Sequence, residues 1–357
     1  EASRADTLLE PHHPNPDALS KSELQALLDK VNPDCPGSET QEWNPIVPQN
    51  LMFSTTIGAG ASGRKGFMRP ETAQGMFTSF PVLYRHFRER LPFGAAQVGK
   101  GYRNEISPRQ GMIRLREFNM AELEYFIDPE STSSYDFTTW SSIGLHLIDG
   151  EGILHQMPLS EAVATGLVRD ETVGYFMGKT YDFLVSVGID PMRLRFRQHS
   201  PDEMAHYASD CWDVEIEGSY GWVECVGIAH RGCYDLEAHE NATGKKLRAR
   251  RDYEEPKLVQ IDGWTIDGGT AGPVFRGDAG EVKSIVEGLE SNTEFPKAIA
   301  LSDGRQLTIE PHHVKRVEKT IKQTGEWYIP HVVEPAFGID RILWHVLDHA
   351  FVETEKA

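Results

Sequence analysis

The fold is decided by two β-like runs, YRNEI at residues 102–106 and IRLREFNMAELE at residues 113–124, which a Pro/Gly turn joins. The pattern predicts an antiparallel hairpin. Because side chains alternate between the two faces of a strand, the second run presents Arg114, Phe118 and Glu122 on one face at steps of four residues. Four residues span about 13 Å of strand, which is comparable with the distance from a nucleotide base to its outer phosphates.

The predicted hairpin carries groups that suit a nucleotide. A guanidinium, an aromatic ring and a carboxylate at that spacing could hold a phosphate, a base and an ammonium group in turn. Arg103 and Glu105 also share one strand face at the start of the hairpin. A solvated, charged strand face is the alternative, and spacing alone does not decide between the two.

A second region near the C-terminus favours the nucleotide interpretation. The run VVEPAFGIDR at residues 332–341 is followed by apolar residues at helical spacing. Asp340 is the predicted N-cap, which places Arg341 in the first helical turn. A cation at a helix N-terminus opposes the helix dipole, and an anion such as a triphosphate would explain its presence there.

Composition limits the class of protein. The chain has 357 residues, 54 of them acidic and 36 Lys or Arg, for a formal net charge of −18. These values exclude collagen-like and low-complexity chains, and no apolar run is long enough to predict a membrane span. The acidic balance argues against nucleic-acid binding over the whole surface, so a nucleic-acid partner requires local basic patches. The best candidates for such basic patches are residues 245–251 and residues 313–316.

Two other patterns are weaker. The run GAGASG at residues 58–63 matches the dinucleotide fingerprint, but Pro70 and the glycines before it interrupt the helix that this fingerprint requires. A flexible glycine loop is therefore the preferred interpretation. Cys225, Cys233, His230 and His239 do not have the spacing of an ordinary zinc site, and buried thiols are predicted instead.

Together these pieces resemble the glycyl-tRNA synthetases, class II aminoacyl-tRNA synthetases of the eukaryotic and archaeal type. Residues 103–118 resemble the second signature motif of that class and GIDR at residues 338–341 its third. The family-specific blocks are RPETAQG at 69–75, RFRQH at 195–199, EMAHYA at 203–208, and residues 221–236. The implied fold class is α+β, an antiparallel β-sheet catalytic core flanked by helices, with inserted subdomains.

The resemblance also implies an order of domains. An N-terminal partial insertion or linker is expected at 1–50, a first part of the catalytic core at 51–128 and a helical insertion at 129–193. The second part of the core is expected at 194–250, a second insertion at 251–327, and the third motif with its helix at 328–357. The first signature motif of the family would precede Glu1, and its anticodon-binding domain would follow Ala357.

The implied reaction is the activation of glycine by ATP and the transfer of glycyl to tRNA(Gly). By resemblance, Arg103 holds the α-phosphate, Arg114 and Arg341 hold the outer phosphates, and these three arginines are the catalytic residues. The other implied ATP contacts are Asn104, Glu105, Leu115, Phe118, Glu224 and Cys225. Of these, Glu105 would bind the adenine amino group and Phe118 would stack on the ring.

The resemblance assigns glycine recognition to Glu71, Glu122 and Glu334, with Arg231 near the adenylate phosphate or the glycine carboxylate. Glu224 or Glu334 is expected to ligate Mg²⁺, a hard cation that prefers oxygen. Ala336 departs from the family pattern, which has Ser at this position in the glycine pocket. We therefore expect weakened or altered handling of glycine.

The resemblance implies a cytoplasmic protein without a membrane segment, and a homodimer when full-length. Because of Ala336 and the missing flanking motifs, the alternative function is a catalytically impaired or regulatory, synthetase-like binding protein. An adenylate-forming ligase that acts on a small acceptor is a further alternative.

Overall fold

The computed structural model describes residues 8–13, 16, 19–34, 43–60, 63–106, 108, 110–130, 136–204 and 208–352. The chain divides into two compact units. The first comprises Glu1–Ala249 and Ile329–Ala357, and the second comprises Arg250–Tyr328.

The first unit is built on one sheet, in which the described residues form eight strands in the order β3-β4-β14-β9-β8-β7-β5-β6. Every neighbouring pair is antiparallel except β5 and β7, which are parallel. The strands are β3 (Phe93–Tyr102), β4 (Glu117–Ile127), β5 (Gly144–Ile148), β6 (Leu154–Pro158), β7 (Leu194–Gln198), β8 (Asp210–Gly218), β9 (Gly221–Gly232) and β14 (His331–Gly338). This sheet confirms the predicted α+β class.

Helices flank the sheet in the first unit. They are α1 (Lys21–Val31), α2 (Ala73–Thr78), α3 (Phe80–His86), α4 (Leu159–Ala164), α5 (Glu171–Ser186), α6 (Tyr234–Thr243) and α9 (Ile339–Ala350). Phe126 on β4 packs against Phe77 of α2 and Phe80 of α3. On the α5 side, the core includes Trp212 and Met177, both fully buried. Side chains of the flanking helices therefore pack against the central strands of the sheet.

The predicted hairpin is confirmed as β3 and β4, whose register runs from Phe93 opposite Phe126 to Tyr102 opposite Glu117. The prediction misplaced the first strand, since only Tyr102 of the run at 102–106 lies in β3, and β4 begins at Glu117 rather than at Ile113. Arg103, Glu105 and Arg114 lie in the connection between them rather than on strand faces. Phe118 and Glu122 do share one face of β4, as the alternation predicts.

Residues 129–193, predicted as a helical insertion, contain strands as well as helices. The two strands β5 and β6 continue the large sheet beyond β7. In β5, Leu145 and Leu147 are buried while their neighbours are more exposed, because alternate residues of a strand face opposite sides. This segment therefore extends the core sheet, and only α4 and α5 match the helical prediction.

Helix α1 has a capping box at its N-terminus. The Ser20 hydroxyl accepts a hydrogen bond from the Glu23 N–H, and the Glu23 carboxylate accepts one from the Ser20 N–H. The glycine loop lies in the turn between β1 (Ser54–Ile57) and β2 (Arg64–Phe67), an antiparallel hairpin. Gly58 and Gly60 have positive φ angles there, and no helix follows, so a dinucleotide fingerprint is excluded.

Among its described residues, the second unit contains two small two-stranded sheets, of which the one formed by residues 297–300 and 306–309 is antiparallel, and two α-helices. Its elements are β10 (Ala249–Ile266), α7 (Gly268–Phe275), α8 (Ala279–Glu287), β11 (Lys297–Ala300), β12 (Gln306–Ile309) and β13 (Val314–Tyr328). β10 pairs with β13 and β11 pairs with β12. Phe275, Val282 and Ile309 are buried in its own apolar core. In the described part of the chain, no helix has the length and apolar character needed to cross a membrane.

Candidate active site

A cavity of about 360 Å³ opens beside β4, β14, β9 and the N-terminus of α9. Every site residue predicted from the sequence lines it except Asn104. The residues that line it are Glu71, Arg103, Glu105, Arg114, Leu115, Phe118, Glu122, Glu224, Cys225, Arg231, Glu334, Ala336 and Arg341. The structure thus brings together residues that lie up to 270 positions apart in the sequence (341 − 71 = 270).

Asn104 lies outside the cavity and has a structural contact instead. Its N–H donates a hydrogen bond to the Leu51 carbonyl at 2.7 Å, and its side-chain amide donates to the Asn50 carbonyl at 3.2 Å. Gln49 donates in turn to the Asn104 carbonyl. Asn104 therefore attaches residues 49–51 to the segment that connects β3 and β4.

Arg103 and Phe118 form one wall of the cavity. The Arg103 guanidinium carbon lies 5.5 Å from the centre of the Phe118 ring, within the range of a cation–π contact. Nε of Arg103 donates to the Pro70 carbonyl at 3.4 Å. These two contacts leave the terminal nitrogens of Arg103 able to bind an anion in the cavity.

Arg341 lies in the first turn of α9, as predicted, but the N-cap of that helix is Gly338 and not Asp340. The Asp340 carboxylate instead accepts hydrogen bonds from the backbone and the side chain of Asn119, at 2.6 and 2.9 Å. Asp340 therefore fastens the start of α9 to β4. This attachment fixes the position of Arg341 relative to Phe118.

The Arg341 guanidinium bridges two segments of the site. It donates to the Ile113 carbonyl at 3.0 Å and to the Glu224 carbonyl at 2.6 Å, and it lies 3.4 Å from the Glu224 carboxylate. Arg114 is a neighbour of Ile113 in sequence, and no hydrogen bond or ion pair joins its side chain to another described residue. The cavity therefore holds at least one guanidinium with unused donors.

Glu71 and Glu122 lie at the acidic side. Glu122 is buried, and one of its oxygens accepts hydrogen bonds from the N–H and the hydroxyl of Thr72, at 2.6 and 2.5 Å. Burial raises the pKa of Glu122, and repulsion from Glu334 and Glu71 adds to this, while the Thr72 hydrogen bonds oppose it. Glu71 accepts a hydrogen bond from Gln74 at 2.7 Å.

Arg231 is buried among carboxylates rather than free in the cavity. It donates to both Asp235 oxygens at 2.7 and 2.9 Å and to both Glu334 oxygens at 3.1 and 3.0 Å. Its guanidinium also lies over the Phe77 ring at 5.4 Å. In this conformation the Arg231 guanidinium orients the Glu334 carboxylate. The sequence did not predict this contact.

The two predicted magnesium ligands differ in availability. Glu334 is buried and both of its oxygens accept hydrogen bonds from Arg231. Glu224 has a side chain that is 53% exposed, and its contact with Arg341 is long. Mg²⁺ typically binds one or two carboxylates together with substrate phosphates, so Glu224 fits this ion better than Glu334 does.

Cys225 is a buried thiol, as predicted, and burial raises its pKa to about 12. Cys233 is only half-buried. The cavity wall contains another cluster that the sequence did not reveal, namely His199, Cys211 and Asp213. The hydrogen bond to Asp213 raises the pKa of His199 to about 10, so this imidazole is protonated and acts as a cation beside Asp213. Arg197 pairs with the second Asp213 oxygen at 2.7 Å.

Other contributors to the site were also missed. Thr72 directly follows Glu71, Asp235 follows Arg231 by four residues, and Glu124 follows Glu122 by two residues on β4. The spacing of Glu122 and Glu124 puts both on one strand face, and this signal was present in the sequence. The block EMAHYA at 203–208 lies partly outside the described residues.

Comparisons with known proteins show which family the chain resembles. The family model for the class II core domain of tRNA synthetases (G, H, P, S and T) matches residues 61–350. A glycine–tRNA ligase of Archaeoglobus fulgidus is 47% identical over 305 residues, which cover 85% of this chain and 53% of that protein. The enzyme of Methanothrix thermoacetophila is 42% identical over 99% of this chain and 62% of its own length.

The chain therefore spans between about half and two thirds of the length of these relatives. Among solved structures, a prolyl-tRNA synthetase of Cryptosporidium parvum complexed with L-proline and AMP covers 83% of this chain and 38% of its own. That likeness, with a TM-score of 0.41 and 12% identity, is too distant to support an argument. The match of the core domain shows that the chain belongs to the class II core-domain family of tRNA synthetases (G, H, P, S and T), within which it is similar to glycine–tRNA ligases.

Proposed function

We propose that this chain contains the active site of a glycine–tRNA ligase, which converts glycine and ATP to glycyl-adenylate and pyrophosphate and then transfers glycyl to the 3′ end of tRNA(Gly). The main support is that the three predicted arginines line the same cavity as Glu71, Glu122 and Glu334. Glycyl-adenylate carries a negative phosphate and a positive ammonium group. A site that binds it therefore needs arginines and carboxylates within the length of this molecule.

In the first step, an oxygen of the glycine carboxylate forms a bond to the α-phosphorus of ATP. The bond from that phosphorus to the bridging oxygen breaks, and pyrophosphate leaves with the electron pair. The α-carboxyl group is already ionised near neutral pH, so no general base is needed. Catalysis then depends on alignment and on charge neutralisation.

The arginines are suited to neutralise this charge. Arg103 would bind the α-phosphate, while Arg114 and Arg341 would bind the outer phosphates, because a guanidinium stays protonated and can bind phosphate in a bidentate way. Arg341 already has two carbonyl partners, which hold it in place before the nucleotide binds. Phe118 would stack on the adenine, Glu105 would accept from its amino group, and the backbone at Leu115 and Cys225 would contact the nucleotide.

Magnesium, when bound, would offset negative charge on the departing pyrophosphate. Glu224 is the carboxylate that would hold it, because its oxygens are exposed at the cavity. Arg341, 3.4 Å from the Glu224 carboxylate, would lie beside the metal and add positive charge at the phosphates.

Glycine is selected by its ammonium group and by the lack of a side chain. Three carboxylates would surround the ammonium group, and Arg231 would hold Glu334 in place rather than contact the phosphate. Ala336 lies opposite Glu122 on the neighbouring strand and lines the cavity. An alanine methyl group supplies no hydrogen bond, so we infer weaker binding of glycine than a serine would give.

We also infer a cytoplasmic location and a homodimer for the full-length protein, which the family resemblance supports. In the second step, the terminal ribose hydroxyl of tRNA would attack the carbonyl carbon of glycyl-adenylate, and AMP would leave. The basic residues at 245–251 and 313–316 are the candidate contacts to tRNA.

Glycine-dependent exchange of pyrophosphate into ATP tests this proposal. We expect exchange with glycine and much less with alanine or serine. The variant Arg341→Ala should lose glycine-dependent exchange. The matched control is Arg305→Ala, because Arg305 is an exposed arginine of the second unit that pairs with Asp278. No exchange with any amino acid would contradict the proposal and favour a non-catalytic relative.

A further inference from the structure

One carboxyl group beside the carboxylates of the cavity accepts no hydrogen bond from the residues that the structure describes. Glu124 is completely buried, with 0% of its surface exposed. No donor of any described residue reaches either of its oxygens. Buried carboxylates without a partner are very costly, and such groups generally become protonated instead.

The neighbour of Glu124 is another acid. In the register of β4 and β14, Val333 lies opposite Tyr125 and Ala336 opposite Glu122, which places Glu334 directly across from Glu124. Side chains in such pairs are in contact. Two adjacent buried carboxyl groups cannot both ionise easily, so one of them keeps a proton.

Arg231 decides which of the two acids is ionised. It donates to both oxygens of Glu334, and a guanidinium partner stabilises the charged form. Glu124 has no such partner, and burial together with repulsion from Glu334 raises its pKa well above the ordinary value. The other charged groups that act on it are Arg231 from β9 and Glu122 from β4, while β3 places the uncharged Ala95 opposite.

We propose that Glu124 is a neutral carboxylic acid that positions Glu334, by donating a hydrogen bond to the carboxylate that receives the ammonium group of glycine. This proposal rests on the proposed function of the cavity. Arg231 and Glu124 then hold Glu334 from two sides. A neutral Glu124 adds this hydrogen bond without adding a negative charge to a site that already contains Glu71 and Glu122.

Two substitutions separate a hydrogen-bond donor from a charge. Glu124→Gln keeps the shape and a donor but cannot ionise, so the KM for glycine should stay within about threefold of the unchanged protein. Glu124→Met has a similar length and no donor, and loss of a hydrogen bond to a charged group should raise the KM for glycine about tenfold or more. The KM for ATP should change little in both. Glu117→Met, an exposed acid on the same strand, is the matched control.

The result for Glu124→Gln decides the issue if the Met variant fails to fold. A loss of glycine affinity in the Gln variant as large as tenfold would overturn the proposal, because it would show that the negative charge is needed. An unchanged KM for glycine in a folded Met variant would also overturn it.

A measurement without catalysis separates this proposal from the function. Infrared spectra of the protein with ¹³C-labelled glutamate should contain a protonated carboxylic acid band at neutral pH that disappears in Glu124→Gln. If the unchanged protein shows no exchange but retains this band, the proposed function fails while the neutral acid stands. If exchange is normal and the band is absent, the inference about Glu124 fails alone.

Discussion

Replacing Thr72 with valine should weaken glycine binding through Glu122. Thr72 is 2% exposed, and its hydroxyl donates a 2.5 Å hydrogen bond to the Glu122 carboxylate. Valine has nearly the same shape, so the packing is preserved while one donor is lost. The N–H of residue 72, at 2.6 Å, remains as the second donor.

The magnitude follows from the charge of the acceptor. A hydrogen bond to a charged group contributes about 1.5–3 kcal/mol. Because the backbone donor remains, we take the lower part of this range, about 1.5–2 kcal/mol, which corresponds to a roughly ten- to thirtyfold higher KM for glycine. Burial already raises the pKa of Glu122, and the Thr72 hydroxyl lowers it. Its removal raises that pKa further, so the defect should be largest toward acidic pH.

Pyrophosphate exchange at varied glycine concentration and pH is the assay. The KM for ATP should stay nearly constant. Thr78→Val is the matched control, because the Thr78 hydroxyl is exposed and donates only to helix carbonyls. An unchanged KM for glycine in Thr72→Val, or an equal rise for glycine and ATP, would refute the role of Glu122 in holding the ammonium group.

Three further outcomes follow from the same site. Ala336→Ser should lower the KM for glycine up to about tenfold, since one neutral hydrogen bond contributes about 0.5–1.5 kcal/mol; an unchanged KM would show that this position does not limit binding. Glu224→Gln should raise the Mg²⁺ concentration that gives half-maximal exchange, and equal Mg²⁺ curves would exclude Glu224 as a ligand. Because the pKa of Glu124 is raised in the folded state, its neutral form stabilises the protein below the ordinary pKa near 4.5, and this contribution is lost as pH rises through the folded pKa. The free energy of unfolding should therefore fall by up to about 1.4 kcal/mol per pH unit in that window, and urea titrations of Glu124→Gln should show a flatter dependence.

The hairpin and the cavity residues were predictable because they depend on local periodicity and on motifs. Alternation on β4 places Phe118 and Glu122 on one face, and helical spacing places Arg341 in the first turn of α9. The positions of Arg103 and Arg114 relative to Arg341 depend instead on contacts between distant segments, such as Arg341 with Ile113.

Distant partners determine two contacts that the local sequence does not reveal. Asp340 has the composition of an N-cap, but Asn119 on β4 supplies two donors for its carboxylate. Arg231 donates to Asp235 and Glu334, and its expected contact with a phosphate or a carboxylate of the substrate stays a prediction. The strands in 129–193 were missed because each has only five residues.

A crystal structure of the protein with a glycyl-adenylate analogue, in which a sulfamoyl group replaces the phosphate, tests the account most directly. We expect the adenine to stack on Phe118, Arg103 to contact the sulfamoyl group, and the ammonium group to lie within hydrogen-bond distance of Glu71, Glu122 or Glu334. Binding of the analogue elsewhere, or an ammonium group that points away from all three carboxylates, would contradict the claim that this cavity joins a nucleotide site to a glycine site.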